Sequence, residues 1–421
     1  MAVSIRMYEV GFGDCFLVGF HDPAPSRWIL IDCGSITEGK AQVRAVVDDI
    51  LATCRNPQGQ PELALVIATH RHKDHVWGFD DPRWADVAVG EVWMPWTEDP
   101  ADPRATELRE RQAKLALALA VTRSDENPLE LAPAGEPAEK SSARALRAMA
   151  LNALTNEAAM KTLHEGFSGS PQRKFLPDPD QVCQARTVAG LAGVTFHVLG
   201  PPRGDKALAL MDPPEGAGYL RWPTRIPPRQ ADSPFAERYR LTDKAYLPAV
   251  LGATFTQDDK KAVEKALEEP GGFLGLALDK AINNTSLVIM IQAEDQRMLF
   301  TGDAQWGSWQ AILAEPSCRE LLERMTLLKV GHHGSHNATP RELIEKVAPR
   351  PITALISTKP VKQWPNIPRA PLIAEMQSRN DRIARTDRED EATAAGMRVQ
   401  PGLYVEWTQP PPARKSRRPV P

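Results

Sequence analysis

Apolar positions along the chain fall into short runs, many repeating every second residue and each closed by a glycine or a turn. Near the N-terminus VSIRMYEV, CFLVGF and WILIDCG are such runs, and they predict three strands. The next segment, GKAQVRAVVDDILATC, changes period: Val43, Val46, Val47, Ile50 and Leu51 share one face of a helix. ELALVIATH then predicts a buried strand, and EVWMPW another. Strand character returns with VTFHVLGPP, NNTSLVIMIQ, RMLFTGD, MTLLKVGHHGS, ITALIST and LYVEWT.

Two stretches break this pattern. Residues 97–192 read as a helical insert, with Leu108, Leu115 and Leu119 on one helix face and Leu146, Met149, Ala150, Ala153 and Leu154 on another. A strand over 193–204 separates it from a Pro/Arg-rich insert at 205–272, and the tail 410–421, basic and Pro-rich, is expected to be disordered. The helical insert carries no ligand-like cluster, so it is expected to pack as a lid or to bind a protein partner or second subunit.

The balance of 51 basic against 54 acidic side chains gives a net charge of −3, which argues against gripping nucleic acid by overall charge. The five cysteines are scattered without C-x-x-C spacing, and no apolar stretch reaches membrane-spanning length. Free thiols, a cytoplasmic location and no membrane partner are the expectation.

The chemistry sits where the apolar runs end. THRHKDHVWG places His70, His72, Asp74 and His75 directly after LALVIA. LLKVGHHGSH delivers His332 and His333, with His336 behind, so six of the nine histidines stand at two strand ends. Between the two clusters, MLFTGDAQ ends in Asp303. Imidazole and carboxylate are the usual ligands of zinc and similar divalent ions. Three strands finishing in such side chains predict one shared sheet edge that binds metal.

This set, H-x-H-x-D-H, strand–Gly-Asp and strand–His-His-Gly-Ser, resembles the metallo-β-lactamase superfamily, and most of all its ComEC-like branch. VGFGDCFLV, ILIDCG, NNTSLVI and ARTD carry the likeness to the branch. The resemblance covers about residues 3–95, 194–202 and 283–407 and neither insert. It implies an α/β fold, an αββα sandwich whose halves are 1–96 and 273–409, interrupted by two inserts. It also implies two divalent ions, Zn²⁺ or Mn²⁺: His70 and His72 on the first, Asp74 and His75 on the second, Asp303 bridging. His332 or His333 would complete the second site, with His332 favoured because it leaves the strand first. Asp32 would be a structural acid beneath the site and Asp14 an acid behind the ligands.

The chain departs from the family pattern twice. A further histidine for the first metal is expected three residues before Ser286, where Asn283 stands instead, a neutral oxygen ligand suited to harder ions such as Mn²⁺. His197 is an alternative for that role, although its place inside a strand favours an ordinary core histidine. In QWPNIP, Trp364 stands where the branch often carries a histidine, which removes a candidate proton donor.

Two such ions lower the pKa of bound water from about 15.7 towards neutrality, so a hydroxide attacks and no Ser, Cys or Lys nucleophile is needed. Asp74 is placed to orient that hydroxide and accept its proton. The expected reaction is phosphoester hydrolysis, with nucleic acid or a nucleotide as substrate. Arg221, Trp222 and Arg225, with Tyr219 beside them, interleave guanidinium and aromatic groups that bind phosphates and stack on bases. A carbonyl hydrolase of lactams or thioesters, and a partner-binding protein with a weakened metal site, are the competing readings.

Overall fold

The computed structural model describes residues 1–21, 24–110, 112, 156–210, 212–214, 216–219, 282–361 and 364–409. Its alternating runs form two sheets. The first has the spatial order β14 (Arg398–Gln400), β15 (Tyr404–Thr408), β1 (Val3–Tyr8), β2 (Cys15–Phe20), β3 (Arg27–Cys33), β4 (Glu62–Ile67), β5 (Ala88–Pro95), β6 (Gln172–Leu176). The second runs β13 (Arg382–Arg385), β12 (Thr353–Ile356), β11 (Leu327–Lys329), β10 (Gln296–Phe300), β9 (Val288–Ala293), β8 (Val194–Gly200), β7 (Gln184–Arg186). Strands β3 to β6 are parallel, as are β10 to β13, while the remaining pairs are antiparallel.

Period-2 alternation explains how the sheets pack. Val3, Ile5 and Met7, with Phe16, Val18, Phe20, Ile29 and Ile31, point from the first sheet into a shared core. Phe196, Ile289, Ile291, Met298, Phe300 and Leu355 meet them from the second. The intervening residues face outward. Tyr8, Leu17 and Leu30 pack against Val46, Val47 and Ile50 of the helix Lys40–Thr53. On the far side Met290, Leu299 and Leu328 pack under Trp309, Leu322, Leu372 and Met376 from three further helices. The protein is therefore a mixed α/β molecule, two sheets face to face with helices on both outer surfaces. Removing this much apolar surface from water is the main stabilising term, roughly 25 cal/mol per Å² buried.

Every strand expected from the runs is present, and the structure adds others. Residues 172–176 and 184–186 of the segment expected to be helical are β6 and β7, edge strands of the two sheets. QRKFL and QAR are too short and polar to show a strand period, and pairing to a neighbour decides their conformation. Residues 113–155 of the expected helical insert, the insert residues 220–281 with Arg221, Trp222 and Arg225, and the tail lie outside the described residues. Cys183 and Cys318 are joined, whereas all five thiols were expected free; Cys15, Cys33 and Cys54 are free and buried. The two bonded residues stand 135 positions apart, a pairing no sequence spacing announces. Among the described residues no helix is long and apolar enough to cross a membrane.

Candidate metal centre

His70, His72, Asp74, His75, Asn283, Asp303, His332 and His333 meet at one edge. It is formed by the C-terminal ends of β3, β4, β10, β11 and β12, the turn before β2 and the loop entering β9. In open α/β sheets this carboxyl edge is where ligands bind. Leu287 N donates to Thr69 O at 2.8 Å, stitching the two sheets together beside the site. Gly302 holds φ +49° there, and a Cβ on it would meet Thr69 and Ser286 at under 3 Å. Gly34 is equally constrained, since its Cβ would lie 2.3 Å from the Asp74 backbone carbon. Glycine is the residue that permits such close approach.

Asp74, His75, Asp303 and His333 are all buried, and one ligand atom from each falls within 4.8 Å of the others. His75 Nε2 lies 3.3 Å from Asp303 Oδ2 and 3.8 Å from Asp74 Oδ2, and His333 Nε2 lies 3.5 Å from Asp74 Oδ2. The outer nitrogen of each ring is held. His75 Nδ1 donates to Asp32 Oδ2 at 2.8 Å, and His333 Nδ1 to the Ser357 carbonyl at 2.8 Å. Asp32 is itself fixed by Thr69, whose N and Oγ1 both donate to it at 2.7 Å. Orienting a histidine through its second nitrogen, so that Nε2 faces inward, is the arrangement metal-binding histidines use. Two imidazole nitrogens and two carboxylates are a donor set that fits a divalent ion.

A second group stands beside the first. His70 Nε2 is 3.1 Å from His72 Nδ1, and His72 Nδ1 is 2.8 Å from Asn283 Oδ1. Asn283 thus stands with His70 and His72 at the position where the sequence pattern lacks a histidine. Ser286 Oγ donates to Asn283 O at 2.7 Å and accepts from Asp303 N at 3.1 Å, so one hydroxyl links this group to the four-residue cluster.

No family model matches the chain. Over 106 residues it is 30% identical to ComE operon protein 3 of Bacillus subtilis (strain 168), a stretch that makes up 25% of this chain and 13% of that protein. The chain therefore spans about an eighth of the length of this relative, and a quarter of its own residues carry the likeness. The likeness is in keeping with the ComEC-type motifs, and the buried His/Asp groups are compatible with binding metal ions.

Charge separates the two groups. Burial lowers the His70 and His72 imidazoles, His72 to about 4, because nothing nearby fully offsets the loss of water. Burial also pushes His75 down, but Asp303, Asp32 and Asp74 outweigh it and raise it well above the usual imidazole range. His333 is raised in the same way, by Asp74, Asp303 and Asp14 against its burial. Asp74 and Asp303 are held low despite burial, since His75 faces both.

The remaining expected residues are placed as follows. His332 turns its Nε2 to 3.8 Å from Asp303 Oδ2 and its backbone N–H to Asp303 Oδ1 at 3.1 Å, while His333 alone of the pair joins the four-residue group. Both adopt left-handed backbone, φ 47° and 53°, a sparsely populated conformation that costs on the order of 1 kcal/mol or more per residue. That double turn swings the second imidazole inward, where an ordinary strand exit would present the first. Asp14 is buried behind the cluster, 3.7 Å from His75 Nδ1 and 3.8 Å from His333 Nδ1. His197 sits inside β8 opposite Met290 and is half-buried, an ordinary sheet residue. Tyr219 is buried against the second sheet's outer core, its hydroxyl donating to Glu345 at 3.2 Å. It is a packing residue and offers no ring for stacking.

Three contacts escape the sequence. Phe12 lies over the His333 ring at 4.0 Å, and Trp364 stacks on Phe12 at 4.9 Å. Lys329 is buried beside Asp303, and a lysine inside the apolar run LLKV is the signal that marks it. Charged residues are almost never fully buried unless paired.

Proposed function

We propose that the chain is a dinuclear metallohydrolase of the metallo-β-lactamase type that cleaves phosphoester bonds, with nucleic acid or a nucleotide as its substrate. The observation that carries this reading is the convergence of two Nε2 atoms and two carboxylates in one buried pocket, with each outer ring nitrogen already engaged. His70, His72 and Asn283 would hold one ion, and Asp74, His75 and His333 the other. Asp303, whose Oδ2 faces both His75 and His332, would be the carboxylate shared by the two. Bound there, the ions supply Lewis acidity and a water of lowered pKa.

The chain's own residues would do the rest. Asp74, held ionised by His75 and His333, would orient the attacking water by accepting a hydrogen bond from it. Asp32 and the Ser357 carbonyl keep the two imidazoles from rotating. No cysteine stands in the cluster, and its carboxylate-rich donor set favours hard ions and phosphoesters over lactams. Trp364, packed on Phe12, offers no proton to a leaving group from the position where an imidazole was sought. Arg221, Trp222 and Arg225 are assigned here to phosphate and base contacts. Those contacts would make cleavage of a polymer salt-dependent.

The test compares bis-p-nitrophenyl phosphate with a chromogenic lactam, each with Zn²⁺ and with Mn²⁺ added. Phosphodiester turnover that a chelator abolishes and metal restores is expected. Turnover of the lactam alone would move the assignment to carbonyl chemistry. Purified protein that neither contains nor takes up metal would leave a partner-binding role.

A further inference from the structure

Strand β11 alternates as its neighbours do. Leu327 faces the shared core and Leu328 the outer helices, so Lys329 points, like Leu327, towards the first sheet. It is 2% exposed, and its ammonium reaches three acceptors: the Asp14 carboxylate across the interface, the Gly302 carbonyl at 3.0 Å and Asp303 Oδ1 at 3.5 Å. Two consequences follow from this placement. Asp303 Oδ1 is taken by the Lys329 ammonium and the His332 N–H, which leaves Oδ2 facing His75 Nε2. The second buried group with metal-binding residue types, Asp14, Asp32 and His75, has a cation already paired with Asp14.

We infer that Lys329 is a positioning residue, an internal cation that directs one oxygen of Asp303 at the metals and keeps divalent ions out of the Asp14–Asp32–His75 group. The inference rests on the metal-centre reading above. Lys329 touches neither substrate nor the reacting atoms. It acts through Asp303 and Asp14, and a fixed ammonium suits that task because it carries charge without ligating metal. Groups that orient metal ligands from behind typically change metal affinity about 10- to 100-fold when removed.

Mn²⁺ titration of the full chain by calorimetry, with paramagnetic resonance of the bound ion, tests this. Lys329→Met and Lys329→Gln should lose about 10- to 100-fold in Mn²⁺ affinity. Their resonance spectra should also change, because Asp303 is free to present both oxygens. In Lys329→Ala, methylammonium should recover part of the affinity and tetramethylammonium none. Wild-type affinity and spectrum in the neutral variants would overturn the role of Lys329 and leave the metal centre standing. Failure of the wild-type chain to take up any divalent ion would overturn the metal centre and the inference with it. Removing one partner of a buried ion pair is strongly destabilising, so circular dichroism of each variant comes first. Should no neutral variant fold, Lys329→Arg keeps the charge but moves the donors. A shifted Mn²⁺ spectrum in it supports the inference, and an unchanged one overturns it.

Discussion

The two halves of the candidate centre are built from different materials. His70, His72 and Asn283 form a trio of neutral donors, with burial keeping both imidazoles unprotonated. Asp74, His75, Asp303 and His333 form a quartet with two carboxylates, and its imidazoles are raised by those same acids. The quartet also has the deeper support: Asp32, Thr69, Ser357 and Phe12 all brace it. The trio is tied through Ser286, at Asn283, and through Thr69, whose Oγ1 lies 3.2 Å from His70 Nδ1. An anionic, braced half should bind a cation tightly, and a neutral half loosely. Affinity, metal preference and pH dependence should all divide along this line.

The largest effect is expected where the halves meet. Asp303→Ala removes the carboxylate proposed to be shared by both, so metal stoichiometry should fall and turnover should drop by about a thousandfold or more. A single preorganised charge-stabilising group is already worth about 10²–10³. Elemental analysis with phosphodiester kinetics reads both. Two ions retained at near-normal rate would end the idea of a bridge. Asp32→Asn comes next: Asp32 holds His75 directly and reaches His70 only through Thr69, so the quartet should lose about 10- to 100-fold in affinity and the trio much less. Equal loss at both would show that Asp32 supports the whole edge.

Protons sharpen the comparison further. In the metal-free protein His75 and His333 hold their protons to higher pH than an ordinary imidazole, and a metal must displace them. Quartet affinity should therefore still climb through neutral pH, by up to about tenfold per unit for each proton displaced. The trio, with His72 near 4 and His70 well below its usual value, has shed its protons already and should be flat over that range. Calorimetry in buffers of different ionisation heat would count the protons released at each step. Identical counts at both steps would contradict the division. Asn283→His adds an imidazole to the trio and should tighten its ion under Zn²⁺ on the order of tenfold, with the first ion then resisting mild chelation. Two ions that leave together in the wild-type chain, and still do so in the variant, would mean that Asn283 does not set the difference.

The sequence makes the edge legible, because buried strands that end abruptly in histidine or aspartate can place those side chains only at a strand terminus. It does not make the facing of side chains legible. His332 and His333 look equivalent as letters, and only two consecutive left-handed residues settle that His333 enters the cluster. Lys329 hides inside an apolar run, since its partner Asp14 is more than 300 residues earlier in the chain. Strands β6 and β7 are invisible for a third reason: their conformation comes from pairing to β5 and β8, and their own residues carry no period. Local pattern reveals what local physics decides, and the contacts that finish the site are long-range.

The smallest effect belongs to Trp364. From the sequence it is a missing histidine; in the fold its ring stacks on Phe12 with an interplanar angle of 28°, and Phe12 in turn covers His333. Aromatic pairs of this kind contribute about 0.5–1.5 kcal/mol beyond the area they bury, or roughly 2- to 12-fold in an equilibrium constant. Trp364→Ala removes the outer layer of the stack and lets Phe12 relax, so the His333 ring loses its backing but not its hydrogen bond to Ser357. The quartet should then weaken by a few-fold while the trio, which the stack does not touch, stays as it was. Trp364→Phe keeps a stacking face and should recover most of the loss. Metal titration of the two variants side by side reads this small difference. A loss shared by both halves would mean that Trp364 stabilises the fold at large. No loss at either would mean that the Ser357 hydrogen bond alone holds His333 in place.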